Sequence, residues 1–433
     1  MDIILLIIIF IIFAVILISY SIKELDFVAI SLIGCLLAGT IIGLTKHIDI
    51  TVFVSKYIEW EAIIVILSMS IITKIAQDSN ILEFLAVKLF KISKGNERTF
   101  FYLICIITTL LAAIISDAVV VLILAPVVIR LCRFLRIRAG TYLLGMTICI
   151  NIGSIITPFS SGENIIISTQ FGLDTLYFIQ YYWVFSFFLL FITAFLIDTL
   201  ILSKEPIIED INKKMVLDLI DAEVMISNKK MFYFNSIAII ITIILFAILP
   251  LLYLTAAFSA FILVIINRKF TNKKTSEFFK EIEWEIIFFF IALYVVIGCL
   301  LEAGFEDLFK GIPFQLLDPF IVCLVILIMV SLISGFVANT PTALIFIPII
   351  GLLIEEFSVP SIPLFFAFII GINIGGNLIP QGAACDMLTL KIAQNNGVEN
   401  LNYKRLLKVG ASFAIIHVIL SIGFLFLLTL FYS

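Results

Sequence analysis

The chain has 433 residues, 63% hydrophobic and 13% charged, with a mean hydropathy of +1.24 and a formal net charge of -4. Soluble domains average about 45–50% apolar and 25% charged residues, so this composition excludes an ordinary soluble domain. Apolar runs of about 18 residues or more recur and do not alternate, which points to a polytopic helical membrane protein rather than a transmembrane β-barrel.

The first span is predicted over Ile3 to Ile18, with no basic stretch before it and no small-residue cleavage site after it, so it does not read as a signal peptide. A second span covers Phe27 to Leu44. The third opens at Ile58-Glu59-Trp60-Glu61 and ends near Gln77. Asp78 to Ser93 has apolar residues at helical spacing, with Glu83, Lys88 and Lys91 on another face, and is expected to lie in the membrane interface.

Arg98 to Leu135 is long enough for two modest helices and is broken at Ile115-Ser116-Asp117-Ala118. An aspartate at that depth costs roughly 2.5–3.5 kcal/mol on insertion scales, and such residues usually face a cavity, an ion or a partner. Lys88, Lys91, Lys94 and Arg98 precede the segment, and Arg130, Arg133, Arg136 and Arg138 end it. Both flanks are basic and therefore cytoplasmic, so the segment reads as a re-entrant hairpin with Ser116 and Asp117 at its tip. Two full spans with Asp117 outside is the competing reading. The next span, Thr141 to Ile156, carries Asn151, breaks at Thr157-Pro158-Phe159-Ser160-Ser161-Gly162-Glu163-Asn164 and resumes at Ile165. Proline cannot donate to a helix, and unwound backbone is tolerated at membrane depth only where it is buried or lines a cavity. Tyr177 to Ile201 crosses back.

The polar connection Ser203 to Lys230, with Lys204, Lys213, Lys214, Lys229 and Lys230, divides the chain near its middle. Spans Met231 to Leu249 and Leu251 to Ile266 follow around Pro250, and then a basic stretch with Arg268, Lys269, Lys273, Lys274 and Lys280. From there the first half is restated. Ile282-Glu283-Trp284-Glu285 repeats Ile58-Glu59-Trp60-Glu61; Ala338-Asn339-Thr340-Pro341 with Pro348 repeats Ser116-Asp117 with Pro126; Ile372-Asn373-Ile374-Gly375-Gly376 with Pro380 repeats Ile150-Asn151-Ile152-Gly153-Ser154 with Pro158. The second hairpin, Asp318 to Ile354, is flanked by acids rather than a basic cluster and should open outward. The expected architecture is all-α: two inverted repeats, 1–202 and 231–433, joined by a cytoplasmic segment 203–230. Each repeat has about five spans, a re-entrant hairpin and a discontinuous helix, and both termini lie outside the cell membrane. This is secondary-transporter architecture.

The candidate substrate and ion site gathers Ser116, Asp117, Asn151, Thr157, Glu163 and Asn164 from the first repeat, with Asn339, Thr340, Asn373, Asn377, Gln381 and Asp386 from the second. The competing role is helix capping: Ser116 or Asp117 before Ala118, and Thr340 before Pro341. Carboxylates with carbonyls and hydroxyls suit Na⁺ or a proton. No Lys or Arg falls within the four breaks, which disfavours a multivalent anion. Glu-Trp-Glu reads as an interfacial anchor, and His417 as a packing residue. The seven cysteines form no CxxC or Cys/His cluster, so no zinc site or disulfide framework is supported. No HExxH, catalytic Ser/His pair or paired-aspartate motif supports an enzyme.

On these residues the chain resembles the ion transporter superfamily, which includes arsenite permeases (ArsB), NhaD-type sodium/proton antiporters, citrate transporters and divalent anion/sodium symporters. Ser116-Asp117-Ala118 with Ala125-Pro126 resembles the first hairpin of the arsenite-permease branch. Asn151-Ile152-Gly153-Ser154 with Thr157-Pro158 and Asn164 resembles its first broken helix. Asn339-Thr340-Pro341 and Asn373-Ile374-Gly375-Gly376-Asn377 resemble the second-copy motifs. The resemblance implies a binding site at these tips and breaks, an elevator-like or related alternating motion, and a homodimer as one assembly. The expected function is secondary active transport coupled to a cation or proton through Asp117, arsenite-permease-like or Na⁺/H⁺ exchange, with a sodium-coupled symporter of a di- or tricarboxylate or inorganic anion as the alternative. The expected partners are the transported ion and the bilayer, with no nucleic acid and no cofactor beyond Na⁺ or H⁺.

Overall fold

The structure, a computed structural model, describes residues 3–22, 25–205, 222–249, 251–271, 274–310 and 314–432. Lys213 and Lys214 of the connecting segment, Pro250 and Lys273 lie outside the described residues. The described chain is helical. Its principal helices are α1 (Ile3–Ser21), α2 (Phe27–Lys46), α3 (Trp60–Asp78), α4 (Ile81–Ile92), α5 (Glu97–Ala112), α6 (Asp117–Phe134), α7 (Ala139–Gly153), α8 (Gly162–Phe171) and α9 (Trp183–Leu200). The second half supplies α10 (Lys229–Ile248), α11 (Leu252–Thr271), α12 (Trp284–Glu302), α13 (Pro319–Val337), α14 (Asn339–Glu355), α15 (Ser361–Gly375), α16 (Ala384–Asn395) and α17 (Tyr403–Tyr432). Among the described residues, nine helices are long and apolar enough to cross a membrane. Every backbone group inside a bilayer must be paired within the protein, and a helix does this without a neighbour.

The helix order recurs. Helices α5, α6, α7 and α8 start at 97, 117, 139 and 162, and α13, α14, α15 and α16 start at 319, 339, 361 and 384, a separation of 222 residues each time. Their packing is reciprocal. Helix α2 lies against α12 while α11 lies against α3; α6 lies against α16 while α14 lies against α8. Exchanged pairs of this kind are what a two-fold relation between two similar halves produces.

Each hairpin packs on the first half of the broken helix beside it, α5 on α7 and α13 on α15. Two glycines permit this. A Cβ on Gly153 would sit 2.4 Å from the Thr109 carbonyl oxygen, and one on Gly375 would sit 2.4 Å from that of Ser331. The tips end level with the breaks: Thr157 Oγ1 donates to the Ala113 carbonyl at 2.5 Å, and Ser334 Oγ donates to the Ile372 carbonyl at 2.8 Å. The arms of both hairpins therefore stop beside unwound backbone inside the protein.

Helix α4 buries Leu82, Ala86, Val87 and Phe90, and it packs against α6. The second hairpin turns on Ala338 alone, at φ 85° and ψ 159°. That backbone region is essentially reserved for glycine and costs another residue about 1–3 kcal/mol. Ala338→Gly is therefore expected to stabilise the protein by about 1 kcal/mol after glycine's own entropic cost, read as a raised Tm in detergent.

Candidate transport site

Four helices begin around one cavity of about 250 Å³. Ser116, Asp117 and Ala118 come from the start of α6, and Ser161, Gly162 and Glu163 from the start of α8. Ala338, Asn339 and Thr340 come from α14, and Gly382, Ala383 and Ala384 from α16. The first turn of a helix carries unpaired N–H groups and about half a positive charge. Four such ends facing one space create a positive local field, which Asp117 and Glu163 complement.

Capping does not explain the hairpin tips. Ser116 makes no capping bond, and Asp117 is the first residue of α6. The Asp117 carboxylate instead accepts from Ser154 Oγ at 2.7 Å, across from the hairpin to the break. Thr340 does not cap α14, which begins one residue earlier. It donates to Glu163 Oε2 at 3.1 Å, while Asn339 Nδ2 donates to Glu163 Oε1 at 3.1 Å. Glu163, which has no polar counterpart in the repeat, thus joins the second hairpin to the first broken helix. Ser161 is the residue that caps, towards the Asn164 N–H at 3.5 Å.

The other candidates form a buried layer away from the cavity surface. Asn164 donates to the Ser154 carbonyl at 2.5 Å and to the Thr157 carbonyl at 3.1 Å, holding the break closed. Asn373 Nδ2 donates to Asn164 Oδ1 at 3.1 Å, and Asn151 Nδ2 to Asn377 Oδ1 at 2.8 Å. The two broken helices are thereby pinned together by amides from both halves. Thr147 Oγ1 donates to Asp386 Oδ1 at 2.5 Å. Asn151, Thr157, Asn164, Asn373, Asn377 and Asp386 do not line the cavity, whereas Ser116, Asp117, Glu163, Asn339 and Thr340 do. Gln381 accepts from the Tyr403 hydroxyl at 3.0 Å and also stays off the cavity wall. His417 is buried, with Nε2 2.7 Å from Thr193 Oγ1.

Sequence reading missed Lys74. It lines the cavity towards the end of α3, 3.4 Å from Asp78 and 3.6 Å from Glu281. Gln77 and Glu283 line the same rim. A lysine inside an apolar span is a functional signal, and this one was present in the third span. Glu283, read as part of an interfacial anchor, turns to the cavity. The Trp residues of the two Glu-Trp-Glu motifs do fasten helix starts: Trp60 donates to the Val54 carbonyl at 3.0 Å and Trp284 to that of Phe279 at 2.7 Å.

Membrane-crossing helices, paired hairpins and broken helices meeting at a cavity that holds carboxylates define a polytopic membrane transporter rather than an enzyme. The comparisons agree. The citrate transporter family model, CitMHS, matches residues 4–371, and the chain belongs to that family. It is similar to the 46 kDa membrane protein of Mycobacterium leprae, 24% identical over 356 residues, which span 78% of this chain and 80% of the relative. An uncharacterized transporter of Mycobacterium tuberculosis is 25% identical over 370 residues, 82% of either chain. Among solved structures, Neisseria gonorrhoeae MtrF, described within a class of antimetabolite efflux pumps, matches with a TM-score of 0.63 at 12% identity, covering 89% of this chain and 84% of its own. The YdaH transporter of Alcanivorax borkumensis matches at 0.56 with 10% identity, covering 84% and 83%. At such identities the two structures speak for the fold.

Proposed function

We propose that this protein is a secondary active transporter in which a cation or proton bound at Asp117 and Glu163 is coupled to the flux, with proton-coupled cation exchange or arsenite-permease-like export as the leading activities. The observation that carries this reading is the cavity itself. Two carboxylates stand at helix starts in one cavity, and the lysine that lines it, Lys74, sits at the rim between Asp78 and Glu281. A carboxylate without a basic partner at membrane depth is retained where an ion or proton neutralises it.

The repeat reading is proposed with it: 1–202 and 231–433 as inverted copies joined by 203–230. Three full helices, a hairpin that returns, one broken helix and one closing helix make an odd number of crossings per copy. An odd number reverses the second copy in the membrane. The plasma membrane is the proposed location, with both termini outside. Arg98 pairs with Asp198 at 3.3 Å and Arg405 with Glu205 at 3.3 Å, so basic clusters from both halves sit at the end where α5 begins. Basic clusters favour the cytoplasmic face, and the Lys74 rim then opens inward.

A second reading, sodium-coupled symport of citrate or another di- or tricarboxylate, is favoured by the four helix starts and by Lys74, because helix N-termini bind anions. Proton movement in everted vesicles tests both. Proton release on adding Na⁺ or Li⁺ is expected for exchange. A response confined to arsenite selects export, and Na⁺-dependent uptake of citrate without proton release selects symport. A non-saturating, uncoupled conductance would overturn secondary transport altogether.

A further inference from the structure

Asp386 has no place in the cavity just described. It sits in the first turn of α16, 2% exposed, while Gly382, Ala383 and Ala384 of the same stretch line the cavity wall. Its carboxyl accepts from Thr147 Oγ1 on α7 at 2.5 Å and has the neighbouring Cys385 thiol at 3.8 Å. No ion pair to Asp386 exists among the described residues.

Burial with one hydroxyl and one weak thiol partner and no counter-ion favours the neutral acid, because desolvation costs several kcal/mol per ion and the start of α16 offsets only part of it. A hard metal cation would need a shell of several oxygens. The groups around Asp386 are mainly donors: the Thr147 hydroxyl, the Cys385 thiol, which also donates to Asn151 Oδ1 at 3.3 Å, and the amide layer beyond. Two further buried donors have no partner, Thr389 Oγ1 one turn along α16 and Asn377 Nδ2, whose own oxygen is taken by Asn151. Burial without a counter-ion favours the neutral acid, and these donors can meet the anion left when the proton departs, so the site can hold either state. A proton needs no coordination shell and no cavity.

We propose that Asp386 is a second proton-binding site, separate from Asp117 and Glu163 and enclosed between α7 and α16. The carboxylate takes one proton from solvent to become the neutral acid, and gives it back when the two half-helices part. Of the helices packed on α16, α6 carries Asp117, Arg130 and Arg133, α7 carries Tyr142 and Cys149 besides Thr147 and Asn151, and α17 carries Lys404, Arg405 and Lys408 near its start. On α16 itself Cys385 adjoins it, and Lys391 is exposed about one and a half turns on. Arg133 is occupied at the far end of α16, where it donates to the Asn396 carbonyl. The role in a transport cycle rests on the transport reading above, but the proton itself can be detected without any flux.

Infrared difference spectroscopy of the purified full-length protein in lipid, at neutral pH and without added substrate, tests this. Wild type is expected to show a protonated carboxyl band that Asp386→Asn lacks and that exchanges slowly in D₂O. Acids lining the cavity exchange at once. Identical wild-type and Asp386→Asn spectra would overturn the site, and a band that exchanges at once would overturn its enclosure. Should Asp386→Asn fail to fold, Thr147→Val keeps the acid and removes its hydroxyl partner. The band should then persist at a shifted frequency, and an unmoved band would count against the assignment. Loss of flux coupling in the vesicle assay leaves this spectrum untouched, so the two readings fail separately.

Discussion

Asp117→Asn is expected to abolish coupled flux while leaving the protein folded. Asparagine retains an oxygen to accept from Ser154 Oγ, the bond made at 2.7 Å in the native protein. It occupies the same volume at the start of α6 and removes the charge. A structural role for Asp117 is therefore mostly preserved by the substitution, and an ion-binding role is not. In everted vesicles the proton signal evoked by Na⁺, Li⁺ or arsenite, or the Na⁺-dependent uptake of citrate, whichever the wild type shows, should fall to background in the mutant. The purified mutant should keep a Tm near that of the wild type. Full coupled flux in Asp117→Asn would remove Asp117 from the ion path and with it the central functional proposal. Glu163→Gln is a poorer probe, because the two carboxylate oxygens accept separately from Asn339 and Thr340. Glutamine offers one acceptor and adds a donor, so it strains the contact between the second hairpin and α8 as well as removing charge.

Gly153→Val and Gly375→Val should each prevent accumulation of folded protein. The added Cβ would lie 2.4 Å from a backbone oxygen, Thr109 in the first half and Ser331 in the second. A backbone carbonyl in a helix cannot rotate away as a side chain can. Hairpin and broken helix would have to separate, carrying the site's bonds from Thr157 to Ala113 and from Ser334 to Ile372 with them. Overpacking a core typically costs about 1–3 kcal/mol, and this contact lies at or beyond the top of that range because neither side can yield. Gly423→Ala on α17 is the control, since nothing lies within 4 Å of its added Cβ. It should express normally. Size-exclusion profiles of detergent-solubilised protein distinguish the outcomes, and a monodisperse Gly153→Val at wild-type yield would show that the two helices are not held at this distance.

Much of this organisation is readable from local chemistry. Pro158 and Pro380 mark the breaks because proline interrupts a helix wherever it is placed. Asn151 and Asn373 are conspicuous because polar amides are costly in an apolar run. The 222-residue spacing follows from these markers and recurs in the helix starts. The competing capping roles of Ser116 and Thr340 have no side-chain cap bond behind them, and Thr340 instead meets Glu163, a partner far along the chain that local sequence does not reveal. Glu163 meets Asn339 and Thr340 across 176 and 177 residues, a distance over which helical periodicity carries no information. Lys74 was overlooked because its span reads as an ordinary crossing helix until α12 is packed opposite it.

The sequence by itself determined that this is a helical membrane protein, where its helices break, and that its halves restate one pattern. Hydropathy, proline and glycine act on the chain within a few residues and need no partner to do so. Only the tertiary structure decided which polar residues share a surface. Asp117 and Glu163 face the cavity, whereas Asp386 is turned between α7 and α16 behind it. Successive residues on a helix point about 100° apart, and the direction that becomes cavity, lipid or core is chosen by what packs against each face.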